Sequence, residues 1–264
     1  MSEPPSVKGQ GGKLRADVLL VELGLVETRA KAQSLILAGK VYEGERRVDK
    51  SGELVARAAA LSVRRGERFV SRGGEKLEGA LVEFGVEVEG AVCADVGAST
   101  GGFTDCLLQR GATRVFAIDV GHGQLAPQLR SDPRVIVLER TNARALTLEA
   151  VGGTPVDLCV VDVSFIGLAK LLPSLELILR PGGKLIALVK PQFEAGREEV
   201  TRGKGVIRDE AVRMAAVGRV RDAISESGFE LKGEADSVLE GPKGNRERFI
   251  FAERLPDDDE PDAA

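Results

Sequence analysis

The chain has 264 residues, 43% hydrophobic and 30% charged, with a formal net charge of −4. That length allows one large domain, or a larger one with a small companion. No apolar stretch approaches the roughly 20 residues that span a bilayer, and the opening MSEPPSVKGQGG has no secretory apolar core, so a cytoplasmic protein with no membrane partner is predicted.

The rarer residues narrow the chemistry. Three cysteines, Cys93, Cys106 and Cys159, are odd in number, widely spaced and set in apolar surroundings. Such spacing suits neither a zinc site nor a disulfide framework; buried free thiols are expected, and no metal. The single histidine, His122, lies in DVGHGQL, which carries no nucleophile signature, so a Ser-His-Asp or Cys-His hydrolase is not expected. Charge is unevenly spread. Residues 1–80 hold 15 Lys and Arg against 11 Asp and Glu, a net of +4, whereas residues 81–264 hold 22 against 30, a net of −8. A basic amino-terminal quarter on an acidic body predicts two modules, one of which meets a polyanion.

Residues 1–12 are polar, rich in Gly, Pro and Ser, and read as a flexible leader. A compact pattern follows over 13–71. Val18, Leu19, Leu20 and Leu23 fit a short helix stopped by Gly24. Thr28 can cap a second helix, expected to turn Ala32, Leu35, Ile36 and Leu37 inward before Gly39 ends it. KVYEGERRV then turns through Gly44 between two short strands. Arg15, Arg29, Lys31, Lys40, Arg46 and Arg47 stand around these elements. Arg29 and Lys31 fall in the first turn of the second helix, where cations oppose the helix dipole, and a phosphate partner would compensate them. The spacing RADVLL…LGLVETRAKAQSLILAGKV, with the turn after it, resembles the small RNA-binding domain named after the fourth protein of the small ribosomal subunit. That resemblance implies RNA as the partner of these six cations.

The second module is expected over 72–255, before an acidic, disordered tail over 256–264 that holds five acids. EKLEGALVEFG reads as a helix. Strands are predicted near 91–97, 114–119, 134–138, 157–162, 184–190, 229–239 and 247–252, and helical runs near 102–110, 123–130, 168–179 and 209–227. Such alternation predicts an α/β fold, a mostly parallel, doubly wound sheet with its ligand at the carboxyl ends of the strands.

VCADVGASTGGFTDCLLQRGA reads as a strand, a Gly-rich turn and a helix. Gly97, Gly101 and Gly102 permit a tight turn and close approach of a ligand. Asp119 ends the next strand, RVFAID, 22 residues after Gly97, where a carboxylate can accept from both ribose hydroxyls of an adenosine-containing cofactor. The dinucleotide fingerprint wants glycine where Ser99 stands, which disfavours a dehydrogenase, and no GK[ST] follows, which excludes a P-loop. The turn instead resembles the loop of class I S-adenosylmethionine-dependent methyltransferases, with DVGASTGGF especially close to the FtsJ-like ribose methyltransferases. The resemblance implies a Rossmann-like sheet. It also implies that Gly97, Ser99, Gly101, Gly102 and Phe103 hold the methionine part of S-adenosylmethionine and Asp119 its ribose. Asn142 would lie near adenine, at a position where the family often has an acid.

KLIALVKPQFE has an apolar run from Leu185 to Val189, the mark of a strand covered on both faces, and it ends on Lys190. Asp162 ends the preceding predicted strand in LCVVDVSFIG, and parallel strands that end together deliver both side chains to one crevice. With Lys76 in SRGGEKL and Glu247 in GNRERF, they match in chain order the Lys-Asp-Lys-Glu set of 2′-O-ribose methyltransferases. SRGGEKL, DVGASTGGFTD, DPRVIVLERTNAR, DVSFI, LVKPQFE and GNRERF together resemble the TlyA family, sometimes labelled haemolysins. The resemblance covers nearly the whole chain from about residue 13. It implies methylation of cytidine 2′-hydroxyls in ribosomal RNA.

A ribose hydroxyl must lose its proton as it attacks a methyl group, and an amine takes that proton only when neutral. An ordinary lysine near pKa 10.4 is neutral for only about one molecule in a thousand at pH 7.4, so a lysine base must be placed with care. The expected division has Lys190 as base, Asp162 and Lys76 orienting it and the hydroxyl, and Glu247 holding the network. The main rival is a ribosome-binding assembly factor that has lost activity, against which the intact set of four counts. A secreted pore-former would need a signal peptide or an amphipathic membrane segment, and the sequence has neither.

Overall fold

The structure is a computed structural model that describes residues 12–63, 68–195 and 205–257. The expected leader lies outside the described residues except for residue 12, and of the expected tail only 256 and 257 are described. The chain divides into two compact units, Met1–Arg68 and Phe69–Ala264.

The smaller unit runs β1 (Lys13–Arg15), α1 (Ala16–Glu22), α2 (Arg29–Leu37), β2 (Val41–Glu43), β3 (Arg46–Arg47), β4 (Leu54–Ala56) and β5 (Leu61–Val63). β1 pairs antiparallel with β4, and β2 lies between β3 and β5. Thr28 caps α2, its hydroxyl accepting from Lys31 N at 3.2 Å. Ala16, Leu19, Leu20, Ala32, Ile36, Val41 and Val55 form the core. Two leucines of the expected apolar pattern face solvent instead: Leu23 is 47% exposed and Leu37 89%. Successive helical residues are about 100° apart, so Leu35, Ile36 and Leu37 span too wide an arc to face one core; Ile36 takes the inward position one turn after Ala32. Leu23 lies beyond the last turn of α1, where the chain already bends away.

The larger unit begins with α3 (Arg72–Glu83). Then come β6 (Val92–Val96), α4 (Gly102–Gln109), β7 (Arg114–Ile118), α5 (Pro127–Arg130), β8 (Val135–Leu138), β9 (Val156–Val161), α6 (Leu172–Ile178), β10 (Leu179–Val189), α7 (Pro191–Glu194), α8 (Glu210–Ser225), β11 (Phe229–Asp236) and β12 (Arg248–Arg254). The seven strands lie in the order β11-β12-β10-β9-β6-β7-β8. β8, β7, β6, β9 and β10 are parallel, while β12 runs antiparallel to both β10 and β11. Strand order reverses between β6 and β9, the switch point at which open α/β sheets place their ligands.

Alternate strand residues feed two cores. Leu185, Ala187 and Val189 join Leu172, Leu175, Val217 and Val220 on one face. Ile186 and Leu188 join Leu77, Leu81, Cys106 and Leu107 on the other. The apolar run before Lys190 is therefore covered on both sides, as its sequence predicts. The helix expected over 123–130 shortens to α5, which starts at Pro127, and that expected over 168–179 splits into a 3-10 turn at Leu168–Lys170 and α6. α7 is additional: Pro191 occupies its first position, where a missing N–H is harmless. The three cysteines are buried and form no disulfide with one another, and burial pushes the Cys93 thiol up to about 12. Among the described residues, no helix is long and apolar enough to cross a membrane.

Candidate active site

The glycine turn after β6 is shaped by two close approaches. Gly97 has φ +90°, and a Cβ there would stand 2.5 Å from the carbonyl oxygen of Asp162. A Cβ on Gly102 would stand 2.2 Å from Ser71 Oγ and 2.9 Å from Gly74 N, so the amino-terminal turns of α3 and α4 can touch only at glycine. Beneath the turn, buried Asp95 accepts from Thr104 N at 2.8 Å and from Thr104 Oγ at 2.6 Å, tying α4 to β6. Burial pushes the Asp95 carboxyl up to about 7; the Thr104 hydrogen bonds oppose this, while the charges of Asp162 and Asp119 add to it. Asp119 follows β7 directly, with Oδ2 accepting from Ser99 N at 2.8 Å and Oδ1 from Gly121 N at 2.6 Å.

Two clefts open above these strand ends. The larger, of about 430 Å³, is lined by Gly97, Ser99, Ile118, Asp119, Gln124, Thr141, Asn142, Val163, Ile166 and others. It offers an apolar wall with a carboxylate and an amide at its rim. The smaller, of about 290 Å³, is lined by Ser71, Arg72, Lys76, Gly102, Phe103, Asp162, Lys190 and Glu247 among others. Gly97, Ser99, Asp162 and Ser164 line both, so the two clefts are continuous.

All four members of the expected Lys-Asp-Lys-Glu set thus meet in one polar cleft, arranged as two ion pairs. Lys190 Nζ lies 2.5 Å from Asp162 Oδ1, and Lys76 Nζ lies 2.5 Å from Glu247 Oε2. Lys76 and Glu247 are buried, at 6% and 1% exposure, and Glu247 precedes β12 rather than opening it. A Cβ on Gly241 would stand 2.1 Å from Glu247 Oε1, so the neighbouring turn also leaves room for this carboxylate. The expected role of Lys76 in orienting Lys190 has no direct contact behind it; its partner is Glu247.

The remaining sequence candidates fall in different places. Gly97, Ser99, Asp119 and Asn142 reach the larger cleft, whereas Gly102 and Phe103 reach only the smaller one. Phe103 is 3% exposed and packs on Phe249 with ring centroids 6.2 Å apart, so it is chiefly a core residue. Gly101 lines neither cleft; its φ of +95° and missing Cβ admit Leu125 and Leu129. His122 is exposed beside Glu139 and also lines neither. Residues not singled out from the sequence include Asp95, Gln124, Thr141 and Ser164. Ser164 had a signal, since it sits two residues after Asp162 in DVSFI.

Residues 69–254 match the FtsJ-like methyltransferase family, and residues 14–59 match the S4 domain. The 16S/23S rRNA (cytidine-2′-O)-methyltransferase TlyA of Mycobacterium tuberculosis is 48% identical, over 90% of this chain and 89% of that one. Hemolysin A of Brachyspira hyodysenteriae is 41% identical over 89% of this chain and 97% of its own. A solved structure from Streptococcus thermophilus, described as a hemolysin, has 42% identity and a TM-score of 0.69, covering 92% of this chain and 89% of that one. The chain belongs to the TlyA family of FtsJ-like methyltransferases.

In this TlyA-family chain most of the six cations expected to meet RNA have internal partners. Buried Asp17 accepts from Arg15 Nε and Nη2 at 3.0 Å, from Arg29 Nη2 at 3.1 Å and from Gln33 Nε2 at 2.9 Å. Arg29 at the start of α2 is therefore compensated by a carboxylate of α1 and needs no phosphate to account for it. Arg46 pairs with Glu43 and Glu53, and Arg47 with Asp49 at 2.7 Å. Lys31 and Lys40 have no acidic partner among the described residues.

Proposed function

We propose that this methyltransferase transfers the methyl group of S-adenosylmethionine to a cytidine 2′-hydroxyl of ribosomal RNA, in the cytoplasm, with the S4 unit holding the RNA. The observation that carries this reading is the meeting of Lys76, Asp162, Lys190 and Glu247 in one cleft that continues into a larger, more apolar one. The names of the curated relatives support ribosomal RNA and the cytidine 2′-oxygen as the target.

The larger cleft fits the cofactor by its chemistry. Asp119, held by two backbone N–H groups, leaves carboxylate lone pairs for ribose hydroxyls. Ile118, Val163, Ile166 and Leu171 offer an apolar surface to adenine, with Asn142 at its edge. The glycine turn keeps backbone close to the methionine part. When bound, S-adenosylmethionine supplies an electrophilic methyl group.

Lys190, in the smaller cleft beside the residues that join the two, accepts the proton of the 2′-hydroxyl in its neutral form. Asp162 sits beside it and pairs with the charge that this proton brings. The Lys76–Glu247 pair walls the far side and keeps a second positive charge near the developing alkoxide.

The test is incubation of the protein with methyl-labelled S-adenosylmethionine and unmodified ribosomal subunits, beside Lys190→Ala. Label at a site whose phosphodiester resists alkali, lost in the variant, is the expected result. Tight subunit binding with no transfer by the native protein would replace this reading with that of an assembly factor.

A further inference from the structure

The loop after β9 contributes to the base. Lys190 and Asp162 approach to 2.5 Å, but side-on: Asp162 Oδ1 is buried and has no aligned hydrogen-bond donor among the described residues. The one aligned hydrogen bond from Lys190 Nζ among the described residues goes to Ser164 Oγ, at 3.2 Å. Asp162 supplies charge to the amine, and Ser164 supplies direction. Ser164 also stands where the two clefts join.

We propose that Ser164 is a positioning residue for methyl transfer, its hydroxyl oxygen taking one hydrogen of the Lys190 amine so that the nitrogen lone pair faces the 2′-hydroxyl. This deepens the reading of Lys190 as base and rests on it. A neutral amine has two hydrogens and one lone pair, directed to the corners of a tetrahedron. With one hydrogen on Ser164, the negative charge of the Asp162 carboxylate disfavours the lone pair on its own side, so the lone pair takes the remaining direction, toward the cleft that Lys190 lines. Without the hydroxyl, the terminal torsion of a lysine is free to adopt any staggered setting. Fixing it beforehand is the kind of orientation that accelerates a proton transfer.

The surroundings of Ser164 are built to hold it against Lys190. Asp162 N donates to Val96 O at 2.9 Å, anchoring the start of the loop on β6. Leu168 N donates to Glu194 Oε1 at 2.9 Å, anchoring its end on α7, the turn that follows Lys190. Between them the Phe165 ring packs on Phe193 of α7 at 4.9 Å. Phe165 has φ +67°, a conformation that is strained for a bulky residue, within the bend over 164–166. The serine and the lysine thus sit on segments pinned together at two points.

Single-turnover transfer to unmodified ribosomal subunits would be measured for the native protein, Ser164→Ala, Ser164→Thr and Lys190→Ala. Ser164→Ala is expected to slow the saturated rate about tenfold, with S-adenosylhomocysteine affinity by calorimetry unchanged. Ser164→Thr keeps the hydroxyl and restores most of the rate. An unchanged rate in Ser164→Ala overturns the proposal, and so does a loss confined to S-adenosylhomocysteine affinity. A Lys190→Ala variant as fast as the native protein would fell the reading of the base itself, and the positioning role with it.

Discussion

Lys76 and Glu247 lie 171 residues apart in the chain and meet at 2.5 Å inside the protein. Helix α3 brings one and the approach to β12 the other, and almost no solvent reaches either. Removing one partner leaves the other as an uncompensated buried charge. Lys76→Met is expected to lower stability by about 3 kcal/mol, and the double variant Lys76→Met/Glu247→Gln to recover more than half of that. Equilibrium urea unfolding checks this. Methyl transfer is expected to fall about 100-fold or more in each variant, the double one included, because the charge near the reacting oxygen is gone.

Gly97→Ala places a methyl group 2.5 Å from the Asp162 carbonyl oxygen on a backbone of φ +90°. The turn must shift, and stability is expected to drop by about 1–3 kcal/mol. Binding of S-adenosylhomocysteine by calorimetry is expected to weaken more than tenfold. Gly218→Ala is the control: nothing stands within 4 Å of that Cβ, and the residue lies within α8. It is expected to gain up to about 1 kcal/mol with binding unchanged.

Asp95 titrates in the folded protein near 7, above the ordinary carboxyl value of about 3.9, because it is buried. Between those limits the folded protein holds a proton that the unfolded chain has released. The stability this contributes is fully present below about pH 4 and is lost as pH rises through about 7. Asp95→Asn can still accept from Thr104 and carries no charge. Its unfolding free energy is expected to lose this slope and to exceed that of the native protein at pH 8 by an amount on the order of 1–3 kcal/mol.

Asp17 behaves in the opposite sense. The Arg15 guanidinium, with Gln33 and Arg29, holds its carboxyl well below the usual range against the effect of burial. Its contribution is present above the ordinary carboxylate value of about 4 and is lost as pH falls. Asp17→Asn is expected to weaken the smaller unit by about 2 kcal/mol at neutral pH and to flatten its acid unfolding. Tyr42 is the only tyrosine and the chain has no tryptophan, so its fluorescence reports this unit alone. RNA affinity is expected to fall as well, because Arg15 and Arg29 lose the carboxylate that orients them.

Much of the candidate site was legible in the sequence because local pattern dictates it. The apolar run from Leu185 to Val189 requires a strand with two covered faces, and Lys190 then has to emerge at its end. Asp162 follows β9 for the same reason, and the two strands are adjacent and parallel. The glycine turn, α4 and the place of Asp119 came with the spacing of a strand, a tight turn and a helix. Leu37 faces solvent because helix geometry lets only one arc face the core, although Leu35, Ile36 and Leu37 look equally apolar in a sequence.

Local pattern therefore sets which segments form strands, which side chains those strands end on, and where the backbone must turn without a Cβ. Pairing was decided only by the tertiary structure. Nothing local could assign Lys76 to Glu247 rather than to Lys190, Arg29 to Asp17 rather than to a phosphate, or Lys190 to Ser164. Those contacts depend on distances of a few ångströms between elements far apart in the chain, and hydrogen bonds and buried charges fall off too steeply with distance and angle for periodicity to locate them.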